Sequence, residues 1–310
     1  MSEVIPSPHS RLKGSLITGR ISSQAELEPR TSNIFVIADS LHIDKDEDGP
    51  PLAAFRQLSD ESVLGIVSVA DGMGGSGARQ AELHGEQHTM AYFAARWAQQ
   101  AVESCFEAYS QGQPLRQLPY QLQSQLKDLF EKKANGYISS NKLRGLLFKP
   151  FPTTLATAVM RLSKHEQEIM LLWAGDSPLT LFTPTDIYTT TQSGDGDAPM
   201  HSMITLENQR LQSANFIFPK EVPIMVTAAT DALLKSSEGF HGLVDTVLAG
   251  MTTRDLGLAR SAIRRGYYGL SPEIDDATYA LCGSKAYLEE SPFDRSAPIS
   301  VISNGTTIRK

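Results

Sequence analysis

Apolar and polar residues follow two periods along this chain, and the changes between them mark the predicted elements. Asn33 to Ala38 (NIFVIA) is apolar and β-branched, a strand pattern. Val63 to Ala70 (VLGIVSVA) is a nearly continuous apolar run, as expected of a strand buried on both faces. A glycine-rich turn follows, and then a helical period from Ala78 to Val102. Gln121 to Asn135 predicts a second helix, with Pro119 before it and Gly136 after it. Thr153 to Arg161 and Glu168 to Ala174 read as strands joined by the polar turn SKHEQ, and Leu179 to Phe182 as another. Val222 to Ala228 is a strand ending in polar residues. Short helices are predicted at Ala232 to Lys235, Gly239 to Ala249 and Thr253 to Arg265, and a last strand at Asp276 to Leu281.

The connecting segments are polar. The stretch to Arg30 carries Pro6, Pro8 and Pro29 and reads as an arm, 1–14, followed by a short strand near Ser15 to Ile21. The run HIDKDEDGPP is acidic and ends in proline. Asp44, Asp46 and Asp48 alternate as in a calcium loop, but Phe55 stands where the bidentate Glu would be, so a solvated turn is expected. Ser193 to Val222, with Met200 and Met203, has the pattern of a mobile flap. After Tyr287 the chain is polar and proline-bearing, a loosely packed tail over 286–310. No repeat or strong linker divides the remainder, so one domain is expected over 15–285.

Composition narrows the class. The 310 residues are 41% hydrophobic and 20% charged, enough to bury a core. Asp and Glu number 35 against 28 Lys and Arg, a net charge of -7, which argues against a general nucleic-acid-coating protein. Cys105 and Cys282 are too few for a disulfide framework or a four-thiolate zinc site and read as reduced packing residues. No apolar run approaches the ~20 residues of a membrane span, and the first residues lack a signal-peptide core. A cytoplasmic monomer without a membrane or nucleic-acid partner is the expectation.

The candidate chemistry lies at strand ends. Asp71 follows VSVA, Asp176 sits in AGDS, Asp231 follows IMVTAAT and Asp275 precedes DATYAL. Carboxylates that converge repel unless a cation or protons neutralise them, and oxygen-only ligands point to magnesium or manganese rather than zinc. Gly72, Gly74 and Gly77 also fit the dinucleotide fingerprint after a strand. Against that stand Asp71, beside any pyrophosphate, and amphipathic helix where a second strand should end in an acid. His84 and His88 share a face of the predicted helix, but Gly85 replaces the Glu of a zincin motif. Tyr92, Phe93 and Trp97 read as packing residues. Lys132, Lys133, Lys142, Arg144 and Lys149 read as solvated charge, as do Arg254, Arg260, Arg264 and Arg265.

The run VSVADGMGG resembles the Asp-Gly-(His or Met)-Gly-Gly signature of the metal-dependent, type 2C serine/threonine protein phosphatases. Thr153-Thr154-Leu155, Trp173-Ala174-Gly175-Asp176-Ser177, Thr230-Asp231-Ala232-Leu233 and Asp275-Asp276-Ala277-Thr278 resemble that family's later motifs, in the family's order. The match covers roughly residues 15 to 283. The resemblance implies an α+β fold, a four-layer αββα sandwich of two antiparallel sheets flanked by helices. It implies two Mn2+ or Mg2+ ions, with Asp71 bridging both and the Gly72 carbonyl binding one. Asp231 and Asp275 would complete the other site, with Asp176 nearby as ligand of a third ion or as a hydrogen-bond acceptor. Asp71, Asp231 and Asp275 are thereby the expected catalytic set. The implied activity is hydrolysis of phosphoserine and phosphothreonine in a phosphoprotein by a metal-activated water, opposite a cognate Ser/Thr kinase. The alternative is a weak or inactive phosphatase-like regulatory module that binds phosphoproteins.

The chain also departs from the family. The acidic pair expected at the early strand aligns with Ser32 and Asn33, or with Ile34 and Phe35 if Arg30 is the phosphate-binding arginine. That ligand of the second metal is therefore expected to be missing or displaced, with Glu26, Glu28 and Asp39 the nearest acids, which could substitute only if the chain bulges. Pro178 replaces an arginine, the usual Asp-His is not evident in TTTQSGDGD, and Met73 replaces a histidine, leaving a solvent proton for the leaving group.

Overall fold

A computed structural model describes residues 19–20, 34–41, 47–73, 77–83, 85–109, 113–135, 150–190, 203–234, 239–252, 255–270, 276–284, 286–287 and 296–310. The strands are β1 (Gly19–Arg20), β2 (Ile34–Leu41), β3 (Leu52–Gln57), β4 (Val63–Val69), β5 (Gln80–Leu83) and β6 (Glu86–Thr89). Helices α1 (Met90–Ala108) and α2 (Leu118–Lys133) follow. Then come β7 (Leu155–Leu162), β8 (Glu166–Ala174), β9 (Leu179–Phe182), β10 (Ile187–Thr189), β11 (Gln212–Pro219) and β12 (Met225–Ala229). Helices α3 (Gly239–Gly250) and α4 (Leu256–Leu270) precede β13 (Ala277–Ser284), β14 (Ile299–Val301) and β15 (Thr307–Arg309).

Alternation along the strands builds the layers. In β4 every residue is buried. Leu64 and Ile66 face the cluster formed with α1 and α2, while Val63, Val67 and Val69 face the other sheet. In β13, Ala280 and Cys282 join the core between the sheets, and Ala277, Tyr279 and Leu281 pack toward α3 and α4. The first sheet has the order β1-β3-β4-β7-β8-β11-β15 and the second β14-β10-β9-β12-β13-β2. Two sheets face to face, with a helix pair on each outer face, make the αββα sandwich. Neighbouring strands are antiparallel except at two edges, where β15 runs parallel to β11 and β14 parallel to β10. Cys105 and Cys282 are buried free thiols. Burial pushes both thiols up, Cys105 to about 11, consistent with a packing role.

Several elements differ from the sequence reading. The helix expected from Ala78 begins only at Met90, capped by the Thr89 hydroxyl, which accepts from the Tyr92 amide. The preceding residues form a hairpin, β5 with β6, turned at Gly85, whose φ of +84° is open to glycine. His88 therefore lies on a strand, stacked on Tyr92 with centroids 3.8 Å apart, not on the predicted helix; His84 is outside the described residues. Trp97 and Phe93 are buried as expected. Part of the expected flap is strand β11, while 191–202 lie outside the described residues. The segment 296–310, expected to lie loosely, adds an edge strand to each sheet, and Ile302 is buried in the core between them. The arm 1–14 and Lys142, Arg144 and Lys149 are outside the described residues, as is Arg254.

Arg260 and Arg264 are not simple surface charges. Both reach the buried carboxylate of Asp39 on β2, at 3.6 and 3.3 Å. Asp39 is thereby tied to α4 on the outer face of the second sheet.

Candidate functional site

The strand registers bring the acid-bearing turns to one end of the sandwich. β4 ends at Val69, opposite Ala156 near the start of β7, and β7 begins opposite Ala174 at the end of β8. Asp71 and Asp176 follow those two strand ends. In the second sheet, Ala229 at the end of β12 pairs with Tyr279 near the start of β13, so Asp231 and Asp276 leave from neighbouring strands.

Asp71 is held by its backbone. The Thr154 amide and the Thr153 hydroxyl both donate to the Asp71 carbonyl, at 2.9 and 2.8 Å, and the Asp71 amide donates to Thr154 Oγ1 at 3.3 Å. Thr154 Oγ1 is in turn 2.5 Å from Ser177 Oγ, beside Asp176. The threonine pair of one motif thus links the Asp71 turn to the Asp176 turn. All three hydroxyl-bearing residues are buried, whereas Asp71 and Asp176 are half-buried.

The sequence reading missed the residues that sit against this turn. Glu47 and Asp48, placed above in a solvated turn, are 7% and 2% exposed. The Glu47 amide donates to Asp276 Oδ2 at 2.8 Å, and the Thr278 hydroxyl donates to Asp48 Oδ2 at 2.8 Å. The Gly49 amide donates to the Ala70 carbonyl at 2.8 Å, fastening the segment along the strand that leads to Asp71. A Cβ on Gly72 would come within 2.4 Å of the Glu47 carbonyl oxygen, so only glycine permits this approach. A buried acidic pair, Glu47-Asp48, thus stands a few residues before β3, where the sequence reading expected a solvated turn. The only sequence signal was the adjacency of Glu47-Asp48 to a glycine and to the apolar run LAAF.

Thr278 continues the chain of contacts. Its amide donates to Thr230 Oγ1 at 3.0 Å, and the Thr230 amide donates to the Thr278 carbonyl at 2.9 Å. Thr230 directly precedes Asp231, which opens a short 3-10 turn, Asp231–Leu233. Four of the sequence-derived positions are therefore described: Asp71, Gly72, Asp176 and Asp231. Asp275 lies outside the described residues, next to Asp276. Ala229 donates from its amide to the carbonyl of Pro178, the residue that stands in the place of the family's arginine.

The acids described at these turns, Asp48, Asp71, Asp176 and Asp231, offer only oxygen, with no His or Cys among them. That chemistry fits a hard divalent cation. Among the described residues no group of three or more His, Cys, Asp and Glu is close enough to hold a metal ion.

No protein-family model matches the chain, and no curated protein is detectably similar. Solved structures are. PppA, a key regulatory component of T6SS in Pseudomonas aeruginosa, matches with a TM-score of 0.51 at 16% identity, over 81% of this chain and 98% of that one. The catalytic domain of the serine/threonine protein phosphatase PstP, in complex with two manganese ions, matches with a TM-score of 0.50 at 13% identity, over 80% and 97%. A C. elegans sex determining protein matches with a TM-score of 0.51 at 14% identity, over 85% and 68%. The fold is that of the type 2C serine/threonine phosphatases. At these identities the likeness is one of fold, and this chain is a divergent carrier of it.

Proposed function

We propose that this protein is a metal-dependent phosphatase acting on phosphoserine and phosphothreonine in proteins. The observation that carries this reading is the meeting of acid-bearing turns from both sheets at one end of a type 2C phosphatase fold: Glu47-Asp48 is joined to Asp276 and, through buried Thr278 and Thr230, to the Asp231 turn, and it lies against the Asp71-Gly72 turn through the Gly49–Ala70 hydrogen bond and the close approach of Gly72. Asp48, Asp71, Asp231, Asp275 and the Gly72 carbonyl would hold Mn2+ or Mg2+, with Asp176 alongside. Bound there, divalent ions would acidify a water as nucleophile and neutralise charge on the phosphoryl oxygens.

The chain's own residues orient and hold. Thr153 and Thr154 fix the backbone that carries Asp71, and Gly72 lets that backbone lie against Glu47. Asp231 leaves β12 on a turn whose preceding residue, Thr230, is fixed to β13. Pro178 supplies no guanidinium, so phosphate recognition through that position is absent from this chain.

The test is hydrolysis of p-nitrophenyl phosphate with and without manganese. The reading expects a manganese-dependent rate that falls by about 100-fold or more in Asp231→Asn, the scale of removing a group that stabilises the transition state. A rate independent of manganese, or unchanged in that variant, overturns it.

A second reading is favoured by one observation: the described residues do not by themselves close a three-ligand cluster. On that reading the chain is a phosphatase-like module that binds phosphoproteins without turning them over. It expects retention of a phosphothreonine peptide with no release of phosphate in manganese.

A further inference from the structure

We propose that Thr278 is a positioning residue that fixes Asp48 toward the cation and binds the two halves of the site into one unit. The proposal rests on the reading of Asp48 as a cation ligand. Thr278 is fully buried, and it bonds to segments of both sheets. Its hydroxyl donates to Asp48 Oδ2 at 2.8 Å, in the segment that leads into β3 of the first sheet. Its amide donates to Thr230 Oγ1 at 3.0 Å, and its carbonyl accepts from the Thr230 amide at 2.9 Å, in the turn that leads to Asp231 in the second sheet.

A hydroxyl has one proton to give, and here it goes to a carboxylate. Hydrogen bonds to an ionised acceptor are stronger than neutral ones. Threonine is also β-branched, so its χ1 is stiff and Oγ1 is held in place. The Asp48 carboxylate is therefore held against rotation by a side chain that is itself held by the strand pairing of β13. Because the same residue is clamped to Thr230, Asp48 and the Asp231 turn share one support. Partners of this kind, one step outside the ligands, set ligand orientation and typically change metal affinity by about 10–100-fold when removed.

Valine keeps the shape and the β-branch while deleting the hydroxyl. Serine keeps the hydroxyl and deletes the branch. The experiment titrates Mn2+ into metal-free wild type, Thr278→Val and Thr278→Ser, reading free Mn2+ by electron paramagnetic resonance, with thermal melts in chelator as the check on folding. The proposal expects Mn2+ affinity at least about tenfold weaker in Thr278→Val. It expects Thr278→Ser to stay close to wild type. Thr278→Ala removes the same hydroxyl without added bulk and gives the same comparison if valine perturbs folding. Wild-type binding with Thr278→Val equally tight overturns the positioning role alone, as does Thr278→Ser losing as much as valine. Wild type that binds no Mn2+ overturns the cation reading and this proposal with it.

Discussion

The backbone amide of Glu47 donates a 2.8 Å hydrogen bond to Asp276 Oδ2, joining residues 229 positions apart in the chain. This contact brings the buried acidic pair before β3 to the motif that opens β13. Asp276→Ala leaves the Glu47 amide without this acceptor, and a buried donor without its acceptor costs about 1–3 kcal/mol. Asp276→Asn keeps an acceptor oxygen and is expected to unfold close to wild type. Urea melts of the two variants check this; equal midpoints would contradict it.

Gly72 faces the same segment. A methyl group there meets backbone, the Glu47 carbonyl oxygen at 2.4 Å, which cannot swing aside as a side-chain tip would. Gly72→Ala is expected to destabilise by about 1–3 kcal/mol, the cost of overpacking. It should also weaken Mn2+ binding by displacing Glu47 and Asp48. Calorimetric melts and a manganese titration would show both changes together.

Asp39 separates the two ends of the second sheet's chemistry. Its carboxylate is buried against Arg260 and Arg264, whose side chains are 26% and 42% exposed. Asp39→Ala removes the acid that both arginines approach. The expected loss is about 3 kcal/mol, the low end for a broken buried pair because the arginines are partly solvated. Manganese affinity should not change. A lowered affinity in a folded Asp39→Ala variant would mean that Asp39, and not Glu47-Asp48, serves the cation site.

The segment 296–310 closes one side of the sandwich, with β14 on β10, β15 on β11 and Ile302 between the sheets. Ile302→Ala should cost about 2–5 kcal/mol, as for other buried aliphatic truncations. Lys310 and Asp186 pair at 2.5 Å near the surface. Lys310→Ala should cost less than about 1 kcal/mol, because solvent screens the pair. Thermal melts of the two variants rank them; the reverse order would show that the segment is held by charge and not by its apolar contact.

Much of this architecture was legible in the chain. Val63 to Ala70 announced a strand buried on both faces, and its residues divide between two cores as the pleat requires. The order of motifs around Asp71, Asp176 and Asp231 anticipated the sandwich. Glu47 and Asp48 were not legible, because burial of an acid is a tertiary fact. Within HIDKDEDGPP nothing local separates the acids that are covered from those in solvent, and the prolines favour a loop reading. The β5–β6 hairpin was hidden by its own composition. Ala, Glu, Gln and Leu favour helix, and only strand pairing and the left-handed Gly85 decide otherwise. The ion pairs of Arg260 and Arg264 were invisible for the same reason as Glu47: the partner, Asp39, lies more than 200 positions away.

The most direct test is the count of manganese ions held by metal-free protein, wild type beside Asp71→Asn. The proposed divalent centre, built on Asp71, Asp231, Asp275 and the Glu47-Asp48 pair, predicts that wild type takes up two ions. Asp71→Asn, folded as judged by its melt, should lose both. Wild type that retains no manganese, or Asp71→Asn that binds as wild type does, would contradict a metal centre at this end of the sandwich.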